Sequence, residues 1–138
     1  MTKDQLKSWL KHYEGYDSKA YIDTRGKLTI GWGRDLQDDG ISVDEANYLL
    51  DNDMAITEKE LLAESFYINA PPNVKDALFN MCFNLGIGGL LEFKNMIAAI
   101  ESKNYTEAAR AALNSDWAMQ VGQRAKDVAL MMRGSDEE

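Results

Sequence analysis

Three residues in one short N-terminal stretch have types suited to acid/base chemistry: Glu14, Asp23 and Thr29. Cleavage of a glycosidic bond needs two acidic functions on opposite sides of that bond. One carboxylic acid is kept protonated for the leaving oxygen, and a second carboxylate positions water or attacks the sugar. Burial raises the pKa of the first, and a polar setting keeps the second ionised. Glu14 closes an apolar helix face beside Tyr13, and Asp23 enters a turn, so their settings fit that division. Thr29, on the strand returning from the turn, is placed to share a water with Asp23. A Glu and an Asp at such spacing occur by chance in most proteins, so chemistry alone leaves the assignment open.

The elements around these residues follow from local pattern. Leu6, Trp9, Leu10 and Tyr13 have helical spacing, Thr2 and Gln5 are set for a capping box, and Gly15 is a natural stop. Ala20 to Gly33 reads as a β-hairpin around Thr24-Arg25-Gly26, with Gly31 and Gly33 marking a bulge or a close approach to the backbone. Ser42-Val43-Asp44-Glu45 is a second capping box, opening a helix that runs to about residue 65. After Pro71-Pro72, Asn73 is expected to cap a helix bearing Val74, Ala77, Leu78, Met81, Cys82 and Leu85, ended by Gly86-Ile87-Gly88-Gly89. That glycine run follows a helix rather than joining strand to helix, so it reads as a turn and not a phosphate loop. Helices are expected near 90–101, 105–113 and 117–132, with the acidic tail a frayed, solvated end. The fold class is α+β. A small hairpin-bearing N-terminal lobe (about 12–45) is joined by a long helix (about 42–65) to a helical C-terminal lobe (about 66–134), which also takes the N-terminal helix.

Composition narrows the function. The 138 residues are 45% hydrophobic and 28% charged, ordinary for a soluble globular chain with one core. One His and one Cys leave little from which to build a zinc cluster or a Cys/His pair, so neither metal nor cofactor is expected. Cys82 reads as a buried hydrophobe, His12 as a surface or capping residue, and Met81, Met96, Met131 and Met132 as core filler. A net charge of −8 argues against a nucleic-acid partner, which needs a basic face. No apolar run approaches membrane-spanning length. The N-terminus carries no signal-peptide pattern, so any route out of the cytoplasm is expected to be supplied by something else.

Glu14-Gly15, the eight residues between Glu14 and Asp23, the five between Asp23 and Thr29, and Thr29-Ile30-Gly31-Trp32-Gly33 together resemble the phage-type lysozymes, endolysins of the T-even phage kind. The likeness continues through Ile41 to Ala46, Asn80 to Gly86, Asp116-Trp117 and Gln123 to Lys126. It implies hydrolysis of the β-1,4 bond between N-acetylmuramic acid and N-acetylglucosamine in peptidoglycan. Glu14 is then the general acid, with Asp23 and Thr29 ordering the attacking water. The family inverts, which requires about 6.5–9.5 Å between the carboxyl groups. Arg124 and Tyr21 match supporting residues, Arg124 pairing with the catalytic Glu. Phe83 and Asn84 match residues lining the saccharide cleft, and Trp32, flanking the same strand, is a further candidate for sugar stacking. Trp9 and Trp117 are expected in packing. The resemblance also implies action on glycan strands of the wall or periplasm after release from a host cytoplasm, and the helical content of the C-terminal lobe makes a monomer the simplest expectation.

Two departures stand out. Where the family usually has His, this chain has Arg34, so an Arg34–Asp53 pair is expected in place of His–Asp. The net charge is acidic, so approach to an anionic wall is expected to improve as salt screens repulsion. Two rivals stay open: a lytic transglycosylase, which needs the Glu but not Asp23 and Thr29, and a catalytically silent wall-binding module.

Overall fold

The computed structural model describes residues 1–134; residues 135–138, which hold most of the acidic tail read as a solvated end, lie outside the described residues. The fold is α+β, mostly helical with one small antiparallel sheet. The chain divides into two compact units, Met1–Leu49 and Leu50–Glu138.

The first unit opens with helix α1 (Lys3–Glu14). Its capping box is complete: the Gln5 N–H donates to Thr2 Oγ1 at 3.1 Å, and the Thr2 N–H donates to Gln5 Oε1 at 2.8 Å. Gly15 stops it, and its N–H bonds the Lys11 carbonyl. Strands β1 (Asp17–Ile22) and β2 (Leu28–Gly31) form the expected hairpin. A third strand, β3 (Arg34–Asp35), follows a two-residue turn and makes β2 the central strand. The hairpin reading stopped at Gly33 because two residues are too few to show alternation. Tyr21 and Asp35 flank Thr29 in register, with an irregularity between Asp17 and Tyr21. Trp9, expected in packing, is half exposed and meets Tyr13 edge-on at 5.7 Å.

Helix α2 (Val43–Leu61) starts at its capping box, the Glu45 N–H donating to Ser42 Oγ, and ends four residues short of the expected limit. Chain then turns into the short α3 (Ser65–Ile68), which buries Phe66.

The second unit is a helical bundle around α4 (Pro72–Leu91). The helix begins at Pro72, whose missing N–H costs nothing in a first turn. Asn73, expected as its cap, instead turns its amide to α8 (Gln123–Arg133), donating to the Met131 carbonyl at 2.9 Å. Gly86 breaks the helical path at φ 78°, a conformation that favours glycine, but the helix resumes to Leu91 rather than stopping. Helices α5 (Lys94–Glu101) and α6 (Tyr105–Leu113) fall close to expectation. The expected 117–132 helix divides at Gly122 into α7 (Asp116–Val121) and α8. Leu61, Val74, Leu78, Met81, Cys82, Met96, Trp117 and Met132 are buried in one continuous core. Met131, expected there, is half exposed, because α8 presents Val128, Ala129 and Met132 inward. No helix of the described residues is long and apolar enough to cross a membrane.

Candidate active site

Glu14 is the last residue of α1, and its carboxyl lies against the backbone of Gly33, in the turn between β2 and β3. A Cβ on Gly33 would stand 2.9 Å from Glu14 Cδ, closer than real side chains come, and Gly33 holds φ at 83°. The positive φ favours glycine, and any side chain there would displace the Glu14 carboxyl. Of the bulge or close approach expected at Gly31 and Gly33, a close approach is found at Gly33, where the Glu14 carboxyl meets the backbone, while nothing stands within 4 Å of a Cβ at Gly31.

Asp23 sits where the hairpin turns. Its Oδ1 accepts the N–H groups of Arg25 and Lys27, each at 2.9 Å, and its Oδ2 accepts Arg25 Nε at 3.3 Å and Nη2 at 3.2 Å. These donors hold the Asp23 carboxyl below the usual Asp range, the Lys27 N–H contributing most and partial burial opposing it. Asp23 is thus fixed and ionised, as a water-activating carboxylate must be. Thr29 is buried at 3% exposure on the central strand, and its hydroxyl donates to the Lys27 carbonyl at 2.9 Å. Its cross-strand partners Tyr21 and Asp35 share its face of the sheet. Asp23, two residues past Tyr21, continues that face.

Arg34 finds a carboxylate partner in its own unit. Its Nη1 donates to Glu45 Oε1 at 2.7 Å and to the Gly40 carbonyl at 3.1 Å, and its Nη2 pairs with Glu45 Oε2 at 2.5 Å. Glu45 is thus a partner of Arg34 within the first unit; Asp53, expected in that role, belongs to the second. The reason is local: the capping box fixes Glu45 in the first turn of α2, where a carboxylate also suits the helix dipole. A planar guanidinium meets such a carboxylate with two bonds at once. The pair drives the Glu45 carboxyl down to about 2, Arg34 being the main cause.

Trp32 is half exposed, with Tyr16 tilted against it at 5.1 Å and Lys11 Nζ 4.9 Å above its ring. It also lines an apolar depression of about 730 Å³ with Ile30, Ile41 and Tyr48.

The other candidates lie in the second unit. Arg124, expected beside the catalytic Glu, donates through Nε to Asn80 Oδ1 at 2.8 Å and through Nη2 to the Asn80 carbonyl at 3.2 Å. Phe83 and Arg124 share a shallow pocket with Met54 and Phe79. Asn84 Oδ1 accepts the buried Trp117 indole N–H at 2.8 Å, which fixes the amide and directs its NH₂ away from that bond. Three residues escaped the sequence reading: Arg25, Asp35 and Glu45. Arg25 Nη2 lies 3.2 Å from Asp23 and 3.5 Å from the buried Asp35. Only the sheet register brings Asp35 to this cluster, and nothing local in the sequence announces it. Among the described residues, no group of His, Cys, Asp and Glu is arranged to hold a metal ion.

Known proteins resemble this arrangement along most of its length. The chain is 29% identical to the "Probable T4-type lysozyme 2" of Dictyostelium discoideum, covering 89% of this chain and 90% of that protein. It is 32% identical to the "Endolysin" of Salmonella phage P22, over 75% of each chain. It is 26% identical to the "Pre-baseplate central spike protein Gp5" of Enterobacteria phage T4, over 89% of this chain but 26% of that longer protein. The model of the phage lysozyme family matches residues 11–137, a span that includes Glu14, Asp23 and Thr29. The chain belongs to the phage lysozyme family.

Proposed function

We propose that this protein is a lysozyme that hydrolyses the β-1,4 bond between N-acetylmuramic acid and N-acetylglucosamine in peptidoglycan, with inversion at the sugar carbon. Family membership supports lysozyme-type, cell-wall lytic activity. The observation that carries the finer reading is the state of Asp23, held rigid and anionic by main-chain and Arg25 donors on the sheet face that buries Thr29. Glu14, poised over Gly33, delivers its proton to the leaving oxygen. Asp23 draws a proton from a water steadied by the Thr29 hydroxyl, and that water attacks from the opposite side of the ring. Tyr21 and Arg124 are assigned to supporting Glu14. Phe83, Asn84 and Trp32 are assigned to sugar contact, where an aromatic surface and a fixed amide suit a saccharide. The protein acts as a monomer on the wall after release from the cell that makes it.

Turbidity loss of outer-membrane-permeabilised cells, followed for the parent and Glu14→Gln, tests the reading. Removing the general acid lowers the lytic rate by about 10²–10⁴-fold. A Glu14→Gln variant as lytic as the parent overturns the enzymatic reading. Mass spectrometry of the digested wall separates the chemistries: reducing ends support hydrolysis, and 1,6-anhydro ends replace it with transglycosylation.

A further inference from the structure

Asp23 and Asp35 are two carboxylates on one face of the sheet, and a single guanidinium lies between them. Their side chains are 18% and 10% exposed, whereas Arg25 is 66% exposed. Asp35 cannot turn away, because its Oδ1 accepts the Asp38 N–H at 2.9 Å. Lys27, the other nearby cation, is committed to Asp38, its Nζ lying 3.2 Å from Oδ2. The charged groups around Asp23 are therefore Arg25, Lys27, Asp35 and Asp38, and Arg25 alone faces both Asp23 and Asp35.

The guanidinium favours Asp23, donating to Oδ2 through Nε at 3.3 Å and Nη2 at 3.2 Å, and leans toward Asp35, 3.5 Å from Nη2. Arg–carboxylate bonds close at about 2.7–2.9 Å, whereas those of Arg25 run from 3.2 Å to Asp23 to 3.5 Å to Asp35. This bears on Asp23 Oδ2. Its Oδ1 is already taken by two main-chain N–H groups, so an attacking water has to approach Oδ2, where it meets Arg25. A guanidinium closed on Oδ2 would exclude that water and weaken the base. With no guanidinium at all, Asp23 would take up a proton at higher pH.

We infer that Arg25 and Asp35 act together as positioning residues for Asp23: Asp35 draws the Arg25 guanidinium part-way off Oδ2, so that Asp23 stays charged yet open to water. This rests on the reading above that Asp23 activates the water.

Carboxyl ¹³C NMR titration of Asp23 in the full chain tests it, run for the parent, Arg25→Gln, Arg25→Lys and Asp35→Asn, alongside the pH profile of lysis. Arg25→Gln moves the Asp23 titration to higher pH and shifts the acid limb of the lytic rate with it, a loss of about two- to threefold on that limb. Asp35→Asn keeps the acceptor for the Asp38 N–H but moves Asp23 to lower pH, since a like charge is gone and Arg25 is released to close on Oδ2. Arg25→Lys retains charge without the fork and falls between parent and Gln. Opposite shifts from Arg25→Gln and Asp35→Asn are expected, and the mark of a shared guanidinium is that Asp35→Asn moves Asp23 less once Arg25 is already Gln. An equal shift in both backgrounds is through-space charge alone and overturns the inference. An Asp23 titration that Arg25→Gln leaves in place, or that Asp35→Asn moves upward, overturns the inference. Should Asp35→Asn fail to fold, Asp35→Ser, whose hydroxyl can accept the Asp38 N–H, removes the same charge and must give the same downward shift. If the shifts appear but Asp23→Asn lyses like the parent, the shared guanidinium stands and the assignment of Asp23 falls.

Discussion

Residues 1–49 bury two side chains, Thr29 and Asp35, and both are polar; from residue 50 onward a continuous apolar core runs from Leu61 to Met132. Among the described residues, the ion pairs with partners assigned are distributed the other way. Arg25 with Asp23 and Asp35, Lys27 with Asp38, and Arg34 with Glu45 all lie in the first unit, against Glu107–Arg110 in the second. The second unit is stabilised by area removed from water, which is non-directional and tolerant of small shifts. The first is shaped by capping boxes, turn N–H groups and paired charges, which are directional. Angular precision is what an acid and a base need, so the candidate chemistry sits where polar contacts set the geometry.

Three substitutions would break or sharpen this contrast. The largest effect is expected from Leu78→Ala, which empties a fully buried site in α4 and costs about 2–5 kcal/mol. Urea unfolding should show the loss, while the lytic rate per folded molecule stays near that of the parent. An equal fall in that rate would mean that the two units are not separable in this way. Gly33→Ala comes next. It strains a positive φ and pushes a methyl group into the Glu14 carboxyl, so lysis should fall by about a hundredfold, the scale set by misplacing a catalytic group by an ångström. A variant with parental kinetics would show that the Glu14 position is not set by Gly33. The smallest effect is expected from Glu45→Gln, and it depends on pH. Glu45 is depressed to about 2 in the fold, so its contribution is complete above the ordinary Glu value of about 4.3 and is lost as pH falls toward 2. The parent should therefore exceed the variant in urea midpoint at pH 7, with the gap closing between those limits. A gap unchanged at pH 2 would remove the ion pair as its cause.

What could be read in the sequence divides along the same line. Short-range polar signals were legible: both capping boxes, the Gly15 stop, the turn at Asp23 and the close approach at Gly33 all involve residues within a few positions or a glycine with no other rationale. The face carrying Leu78, Met81 and Cys82 was equally plain from its period. Contacts set by register or by competition among partners were not. Asp35 reaches Arg25 only because β3 returns beside Thr29, and a two-residue strand has no pattern to recognise. Glu45 as a partner of Arg34 was missed because family likeness pointed to a distant Asp53, while the capping box had already brought Glu45 within reach. Asn73 was read as the cap of the helix it begins, but Pro72 leaves that end with little to satisfy, and its amide serves α8.

That last bond has a consequence for how the protein is made. Asn73 and Met131 are 58 residues apart, and α4 meets α8 directly, so the bundle cannot close until α8 has left the ribosome. Contacts across such a separation carry a large loop-closure cost and form late. The hairpin of β1 and β2, by contrast, has all its partners within residues 17–31 and can form as it emerges. During synthesis the apolar face of α4 therefore waits uncovered for α8. A chain truncated before Gln123 would expose that face permanently and should be found in aggregates rather than in solution.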